Sequence, residues 1–403
     1  MRTHASRILS GVPGWNHPIR VLHVIRNLHD GGMERLVADL VRIANPRDFD
    51  THVMTFGDPG RYASLLGLHV TLHRAPSMTP LSMLRPAALA AAIRGVAPDV
   101  VHTHSGTWYK VARASRMAGV PLVYTEHGRH YPDPWLNQQL DRYAARLTAR
   151  VVAVSRALGT CLEEQLGVGA AKVVVITNGV DVGRLDALRS AATRRPKDDA
   201  VVFGTLGRLE RVKAYDVLLA AVAQWPADAP PVRLLIAGDG SQRRALEELA
   251  RRMQLGDRVQ FFGWVEQTER FYSLLDAFVL SSRSEGTSIS LLEAMACRCP
   301  PVVTDVGGNG EVLGEGLADW LVPAGDANAL ASKMVAMARS AARRKRLGAT
   351  ARARVTSAYD LLDTSRRYGT LYGELVARAG RVSPGAREPS SAPPVEESVA
   401  YRM

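Results

Sequence analysis

The chain alternates short apolar runs rich in β-branched residues with longer segments of helical spacing. The runs include RVLHVIR, PDVVHTH, ARVVAVS and KVVVITN in the first half, and AVVFGTLG, RLLIAG, AFVLSS and PPVVTD in the second. Helical patterns such as MERLVADLVRIA and RRALEELARRM lie between them. Strands that are apolar on both faces and separated by helices indicate parallel sheets covered on both sides. The sequence therefore predicts an α/β fold with two doubly wound, Rossmann-like domains.

A chain of 403 residues is long enough for two such domains. The stretch DALRSAATRRPKDD is polar, charged and without a strand pattern, which is typical of a linker. Changes in composition divide the chain into an N-terminal extension (1–18), a first domain (19–185), a linker (186–199), a second domain (200–360), a helix that can cross back to the first domain (361–379) and a tail expected to be disordered (380–403).

The composition favours a cytoplasmic protein with anionic partners. Apolar runs end well short of the ~20 residues of a membrane span, and the N-terminus lacks the apolar core of a signal peptide. Lys and Arg number 51 against 39 Asp and Glu, which gives a net charge of +12. Such a charge suits nucleic acid, acidic lipid or phosphorylated substrates. The run RRKR marks either a solvated helix face or a patch that meets the inner face of the cell membrane.

Cysteines and histidines give little support for a metal site. The three cysteines, Cys161, Cys297 and Cys299, are too few for a disulfide framework, and a lone C-x-C lacks the further ligands of a zinc site. His102 and His104 form H-x-H at a strand end, as in some metal-dependent hydrolases. No second H-x-H or H-x-x-H supplies the remaining ligands. We therefore expect no metal, and the hydrolase remains an alternative.

Loops after the strands carry the candidate site residues, because ligands bind beyond the carboxyl ends of strands in open parallel sheets. Gly31 and Gly32 lie between a strand and a helix, where backbone can approach an anion closely. Arg208 and Lys213 lie in a similar loop of the second half, and two cations beside a helix N-terminus suit a diphosphate. The alternative for the two glycines is a plain turn, and the alternative for Arg208 and Lys213 is a solvated basic loop. His127, after another strand, can hydrogen-bond a substrate at the domain cleft.

Two glutamates stand in SEGTSISLLEAMA. Glu285 precedes a predicted helix, where its carboxylate would face the cleft, and Glu293 lies inside that helix. Ser288 or Ser290 can cap that helix. The spacing from Ser290 to Glu293 also matches a capping box, which would make Glu293 structural. Backbone N–H groups beside Glu285 come from Gly286, Thr287 and Ser288.

These loops together resemble the motifs of the family 4 retaining glycosyltransferases, whose E-x7-E motif is matched by Glu285 and Glu293. GGMERL, GRLERVK, AGDG and PPVVTDVGG follow in the family's order, and the resemblance covers roughly residues 20–375. It implies the GT-B fold, in which two Rossmann-like domains face a central cleft. The second domain would hold a nucleotide-sugar and the first would hold the acceptor.

The resemblance also implies a role for each matching residue. Glu285 would contact the donor sugar at the reacting centre, and His127 would lie beside the sugar or the leaving phosphate. Donor binding would use Gly32, Arg208, Lys213, Gly286, Thr287, Ser288 and Glu293, with Arg208 and Lys213 on the diphosphate and Glu293 on the ribose. Gly31 and His104 are candidates on the acceptor side. Many members have an aromatic residue and Pro or Gly where this chain has Thr287 and Ser288, and they have glycine where it has Ala214. These departures concern sugar specificity.

The reaction implied is transfer of a sugar from a nucleoside diphosphate, UDP rather than GDP, to a glycan or lipid-linked acceptor. It would proceed with retention of configuration, without metal or bound cofactor, and without a nucleic acid partner, as in bacterial polysaccharide assembly. A nucleotide-sugar epimerase of the same fold and a non-catalytic binder are alternatives that product analysis would separate.

Overall fold

The structure, a computed structural model, describes residues 17–29, 31–77, 79, 82, 86–128, 134–190 and 199–379. The expected extension before residue 17, the tail 380–403 and residues 191–198 of the expected linker lie outside the described residues. Residues 186–190 of that linker belong to a helix, Val182–Ser190. Among the described residues, no helix has both the length and the apolar character needed to cross a membrane.

The first half forms a seven-stranded parallel sheet in the order β3-β2-β1-β4-β5-β6-β7. Its strands are β1 (Ile19–Ile25), β2 (Phe49–Phe56), β3 (Val70–Ala75), β4 (Val100–His104), β5 (Leu122–Glu126), β6 (Arg150–Ala153) and β7 (Val173–Val175). The helices are α1 (Gly32–Ile43), α2 (Ala87–Val96), α3 (Trp108–Ala118), α4 (Trp135–Leu147), α5 (Arg156–Leu166) and α6 (Val182–Ser190).

The second half repeats the arrangement with a six-stranded parallel sheet in the order β10-β9-β8-β11-β12-β13. Its strands are β8 (Val201–Leu206), β9 (Val232–Ala237), β10 (Val259–Gly263), β11 (Ala277–Leu280), β12 (Pro301–Thr304) and β13 (Leu321–Val322). The helices are α7 (Tyr215–Ala223), α8 (Arg243–Arg252), α9 (Thr268–Ser273), α10 (Ile289–Ala296), α11 (Asn309–Leu313), α12 (Ala327–Ala338), α13 (Ala341–Ala358) and α14 (Leu361–Arg378).

Alternate residues of the central strands enter different cores. In β4, Val101 packs with Val24 and Tyr124 in one buried cluster, whereas Val100 packs in another. This alternation follows from the strand period of two, because successive side chains point to opposite faces. It confirms the two-sided covering that the continuous apolar strands predict.

The direction of winding reverses between β1 and β4 in the first sheet and between β8 and β11 in the second. These two positions are the topological switch points, where ligands bind at the carboxyl ends of the strands. The predicted fold class is confirmed. Two strands, β3 and β13, were not predicted. β3 is a partly exposed edge strand of mixed polarity, and β13 has only two residues.

The C-terminal helix α14 packs against the first sheet. Its Tyr368 and Tyr372 lie in the same buried cluster as Val21 and Val123. The Tyr372 hydroxyl is 2.7 Å from Nδ1 of His102. The end of the described chain therefore joins the second domain back to the first.

Candidate active site

Lys213 and Glu285 meet at the switch point of the second sheet. Lys213 Nζ lies 2.5 Å from Glu285 Oε1, and the Ser282 hydroxyl donates to the same oxygen at 2.6 Å. The Ser281 hydroxyl donates to the Lys213 carbonyl at 2.9 Å, which fixes one loop on the other. The structure thus brings together two site residues that the sequence predicted separately, from the β8–α7 and β11–α10 loops.

The β9–α8 turn shapes the basic loop. A Cβ at Gly238 would collide with the Gly207 carbonyl, and one at Gly240 would lie 2.7 Å from the backbone of Leu209. Only glycine at these positions lets the turn pack on the loop, because both also have positive φ. Arg208 is exposed on this loop. The glycines of AGDG therefore support the β8–α7 loop that carries Arg208.

The β11–α10 loop also contacts the first domain. A Cβ at Gly286 would collide with the His127 carbonyl oxygen, and one at Gly128 would lie 3.3 Å from the Gly286 nitrogen. The Thr287 hydroxyl donates to the Val154 carbonyl at 2.5 Å. His127 and Glu285 are consequently held on neighbouring backbone segments, one from each domain.

The N-terminus of α1 reaches the same interface. A Cβ at Gly32 would lie 3.3 Å from the side chain of Ile289, the first residue of α10, whereas one at Gly31 would meet only Glu34 of its own helix. Gly32 thus permits close packing of two helix N-termini from different domains.

Helix α10 places Glu293 in a buried position. The side chain of Ser288 caps the helix by accepting from the Leu291 N–H at 3.4 Å, so Ser290 lies inside the helix. The capping-box interpretation of Ser290 and Glu293 is therefore wrong. Instead the Tyr272 hydroxyl donates to Glu293 Oε2 at 3.0 Å.

Glu293 lines a small pocket between α1, α6 and α10, together with Arg35, Asp39, Asp181 and Arg184. Burial raises the pKa of Glu293, and the positive charges of Arg35 and Arg184 partly oppose that rise. Sequence analysis missed both arginines. Arg35 belongs to the GGMERL motif, but nothing in the motif indicates that it lines a pocket with Glu293 of the other domain.

Four histidines cluster at the switch point of the first sheet. His23 lies on β1, His102 and His104 lie on β4, and His127 follows β5. Nδ1 of His104 is 3.1 Å from Nε2 of His127, and Nε2 of His104 is 3.4 Å from Nδ1 of His23. Burial lowers the pKa of His23 to about 4 and that of His127 to about 3. It also lowers the pKa values of His102 and His104, so all four rings are neutral near pH 7.

The structure corrects the expectation that His104 faces an acceptor. Its side chain is fully buried, at 0% exposure, between His23 and His127. Burial behind His127 excludes a direct contact with an acceptor in this arrangement.

The same cluster can be tested as a metal site. His23, His102 and His104 each offer a nitrogen within 4.8 Å of the others. However, Tyr372 and Thr125 occupy both nitrogens of His102, each at 2.7 Å. A metal here would displace hydrogen bonds made by at least two of its ligands, so the cluster fits a hydrogen-bonded network better than a metal site.

Comparison with known proteins identifies the family. Residues 30–184 match the model of "Glycosyltransferase Family 4", and residues 189–354 match that of "Glycosyl transferases group 1". A glycogen synthase of Mycobacterium tuberculosis is 31% identical over 308 residues, which cover 72% of each chain. A Xanthomonas campestris GDP-mannose:cellobiosyl-diphosphopolyprenol alpha-mannosyltransferase is 29% identical, over 72% of this chain and 79% of that protein.

Solved structures show the same fold. The crystal structure of Anabaena HepE in complex with UDP-glucose has a TM-score of 0.72 and 25% identity, and covers 88% of this chain and 100% of its own. A Rickettsia africae glycosyltransferase has a TM-score of 0.76 and 21% identity, and covers 90% of this chain and 99% of its own. The chain is thus an enzyme of the glycosyltransferase family that combines a family 4 domain with a group 1 domain in the GT-B fold.

Ala214 occupies a left-handed backbone position directly after Lys213, with φ of 49° and ψ of 45°. Residues with a Cβ are strained there by roughly 1–2 kcal/mol, whereas glycine is not. We expect Ala214→Gly to raise the free energy of unfolding by up to about 1 kcal/mol, measured by chemical denaturation.

Ala220→Gly is the matched control, because Ala220 is a half-buried residue inside α7, the helix that follows Ala214. Glycine in a helix costs roughly 0.5–1 kcal/mol relative to alanine, so this variant should lose stability. Equal losses in both variants would contradict the strain at Ala214.

Proposed function

We propose that this glycosyltransferase moves a sugar from a nucleoside diphosphate to an acceptor bound by the first domain. The contact between Lys213 and Glu285 supports the proposal, because it brings together a cation that can bind a diphosphate and a carboxylate that can bind a sugar. Both residues lie at the switch point of the second sheet, and Gly286, which follows Glu285, packs against the His127 backbone of the first domain. UDP is the expected nucleotide, since HepE was crystallised with UDP and with UDP-glucose.

The diphosphate would lie between the basic loop and the N-terminus of α10. Arg208 is exposed there, and the side chain of Lys213 is 18% exposed. The first N–H groups of a helix have no partner within it, so α10 also offers donors to an anion. Negative charge that develops on the leaving diphosphate would be stabilised by these groups. A metal is not required for this role, and we propose a metal-independent reaction.

The reacting sugar would lie between Glu285 and His127. One oxygen of Glu285 is held by Lys213 and Ser282, which fixes the carboxylate close to the diphosphate site. Such a fixed group can bind hydroxyls of the donor sugar in one orientation. We propose transfer with retention of configuration, and Glu293 as the group that binds the ribose hydroxyls.

The acceptor is proposed to be a lipid-linked glycan at the inner face of the membrane. One relative is named for transfer to a cellobiosyl-diphosphopolyprenol, and this chain has a net charge of +12. The RRKR run contributes less to membrane binding than its charge indicates. Two of its side chains, Arg343 and Arg344, donate instead to carbonyls at the end of α12. Exposed side chains on α4 provide a further apolar and basic surface in the first domain, namely Trp135, Leu136, Arg142, Tyr143 and Arg146.

Calorimetric titration with UDP tests the donor site. We expect UDP to bind equally in the presence of magnesium and in the presence of a chelator, because Arg208, Lys213 and backbone N–H groups supply the positive charge. Loss of UDP binding in the chelator would contradict the metal-independent site, and a lack of binding in both conditions would contradict the donor assignment.

Lys213→Ala should weaken UDP binding roughly ten- to a hundredfold, since a charge-assisted hydrogen bond contributes about 1.5–3 kcal/mol. Calorimetry measures the change, and thermal unfolding checks that the domain remains folded. Lys333→Ala removes the same charge from α12, where the ammonium lies over the Trp320 ring. The control should bind UDP as the unmodified protein does. Equal affinity in both variants would exclude Lys213 from the site.

Glu285→Gln and Glu293→Gln should have different kinetic effects. The first should mainly lower kcat, because Glu285 would contact the reacting sugar, and the second should mainly raise the donor KM. Transfer or slow hydrolysis of UDP-sugars supplies the rates. Identical changes in kcat and KM for the two variants would show that the roles are assigned wrongly.

Stability separates a binding role for Glu293 from a folding role. Burial raises the pKa of Glu293 in the folded state, so the ionised carboxylate destabilises the fold as pH rises above the unfolded value. Glu293→Gln should therefore keep full stability at pH 7 while the donor KM rises. A large loss of stability at pH 7 would indicate a structural role instead.

A further inference from the structure

Three imidazoles form a chain that leads from half-buried His127 at the candidate active site to buried His104 and His23. His127 contacts His104 through Nε2, and His104 contacts His23 through its other nitrogen, at 3.1 and 3.4 Å. His23 is 7% exposed and His104 is fully buried. His102 packs beside the chain, with its ring centroid 4.2 Å from that of His104, but it bonds to Tyr372 and Thr125.

The proton on His104 sets the direction of the whole chain. A neutral imidazole carries one proton, so one ring nitrogen donates and the other accepts. Because His104 uses both nitrogens for histidine partners, it must donate to one and accept from the other. If it donates from Nδ1, His127 Nε2 accepts and His127 Nδ1 carries a proton. If it donates from Nε2, His127 donates to it and Nδ1 of His127 becomes an acceptor.

Nδ1 of His127 is the end of the chain at the active site. It is buried and has no hydrogen-bond partner among the described residues. Its backbone is fixed, because the His127 N–H donates to Ser105 Oγ at 3.0 Å and its carbonyl oxygen packs against Gly286. A buried polar nitrogen without a partner in the protein is a costly arrangement, which a substrate atom can relieve.

We propose that His104 is a positioning residue that holds His127 in the tautomer with its proton on Nδ1, and that His23 supports His104 in this role. This inference rests on the proposed function, since the oxygens of a donor diphosphate accept hydrogen bonds and require a donor at His127. In the resulting arrangement His23 Nδ1–H donates to His104 Nε2, and His104 Nδ1–H donates to His127 Nε2. The tautomer of a histidine is set in this way by the hydrogen bond at its other nitrogen.

Long-range ¹H–¹⁵N correlation spectra of ¹⁵N-labelled full-length protein report the tautomer of each histidine directly. We expect His127 and His104 to carry their protons on Nδ1 in the unmodified protein, with and without UDP. In His104→Ala, His127 should shift to the Nε2–H form or to a mixture. His73→Ala is the matched control, because His73 bonds His52 at 2.8 Å in a separate histidine pair. It should leave the signals of His127 unchanged.

Three results would overturn the proposal. The first is an Nε2–H form of His127 in the unmodified protein with UDP bound. The second is an unchanged His127 tautomer in folded His104→Ala protein. The third is a set of His23 and His104 nitrogen shifts that change when a chelator is added, which would show that the cluster holds a metal instead.

Kinetics with UDP-sugars supply a second readout. His104→Ala should lower kcat about tenfold with little change in the donor KM, as expected for loss of one oriented hydrogen bond. His104→Asn should recover most of the rate, because its amide N–H can donate from about the position of Nδ1. Equal rates for the alanine variant and the unmodified protein would contradict the positioning role. If no UDP-sugar reacts but the tautomer follows His104, the proposed function fails and the histidine chain stands.

Discussion

Backbone-to-backbone contact between the two domains is the constraint on which the site depends. Gly286 packs against the His127 carbonyl, and the Gly308 N–H donates to the Gly286 carbonyl at 2.8 Å. A side chain at either glycine would collide with backbone and push these segments apart. The positions of Lys213, Glu285 and His127 relative to one another therefore follow from the absence of a Cβ at Gly286 and Gly308. The polar groups do not have to hold the cleft together by themselves.

The two sides of the cleft differ in charge. Lys213 and Glu285 form an ion pair on the second domain, whereas the four clustered histidines of the first domain are neutral because burial lowers their pKa values. An anionic diphosphate is attracted to the charged side, where the cations lie. The neutral side offers hydrogen bonds whose direction depends on proton position and not on net charge. This division suits one domain that attracts an anion by its charge and another that directs hydrogen bonds to the bound substrates.

The sequence predicts the fold better than it predicts the site. Continuous apolar runs identify eleven of the thirteen strands in the described part of the chain, since burial on both faces leaves a strong pattern. The exposed edge strand β3 and the two-residue β13 leave no such pattern. Charged residues in a loop after such a run, as at Lys213 and Glu285, are also visible. The role of His23 is not visible in the sequence, because its partner His104 lies 81 residues away and the segment around His23 has the pattern of an ordinary strand. Of the two caps that the sequence offers for this helix, Ser288 is the one used, so the alternative of a capping box at Ser290 and Glu293 fails.

The contacts that join the domains are distributed unevenly. Away from the cleft, the two chain segments that connect the domains pair with each other: the Val180 N–H donates to the Tyr359 carbonyl at 2.9 Å, and the Leu361 N–H donates to the Val180 carbonyl at 3.2 Å. At the cleft, side chains also make hydrogen bonds between the domains. The Thr287 hydroxyl donates to the Val154 carbonyl, and the Glu311 carboxylate accepts from the first two N–H groups of α5. Water can replace the exposed hydrogen bonds of Glu311 at little cost, but separating the buried backbone pair at Val180 and Tyr359 leaves donors and acceptors unsatisfied. The buried backbone pairing at Val180 is therefore the more costly connection between the domains to separate, and the exposed contacts of Glu311 are the less costly one.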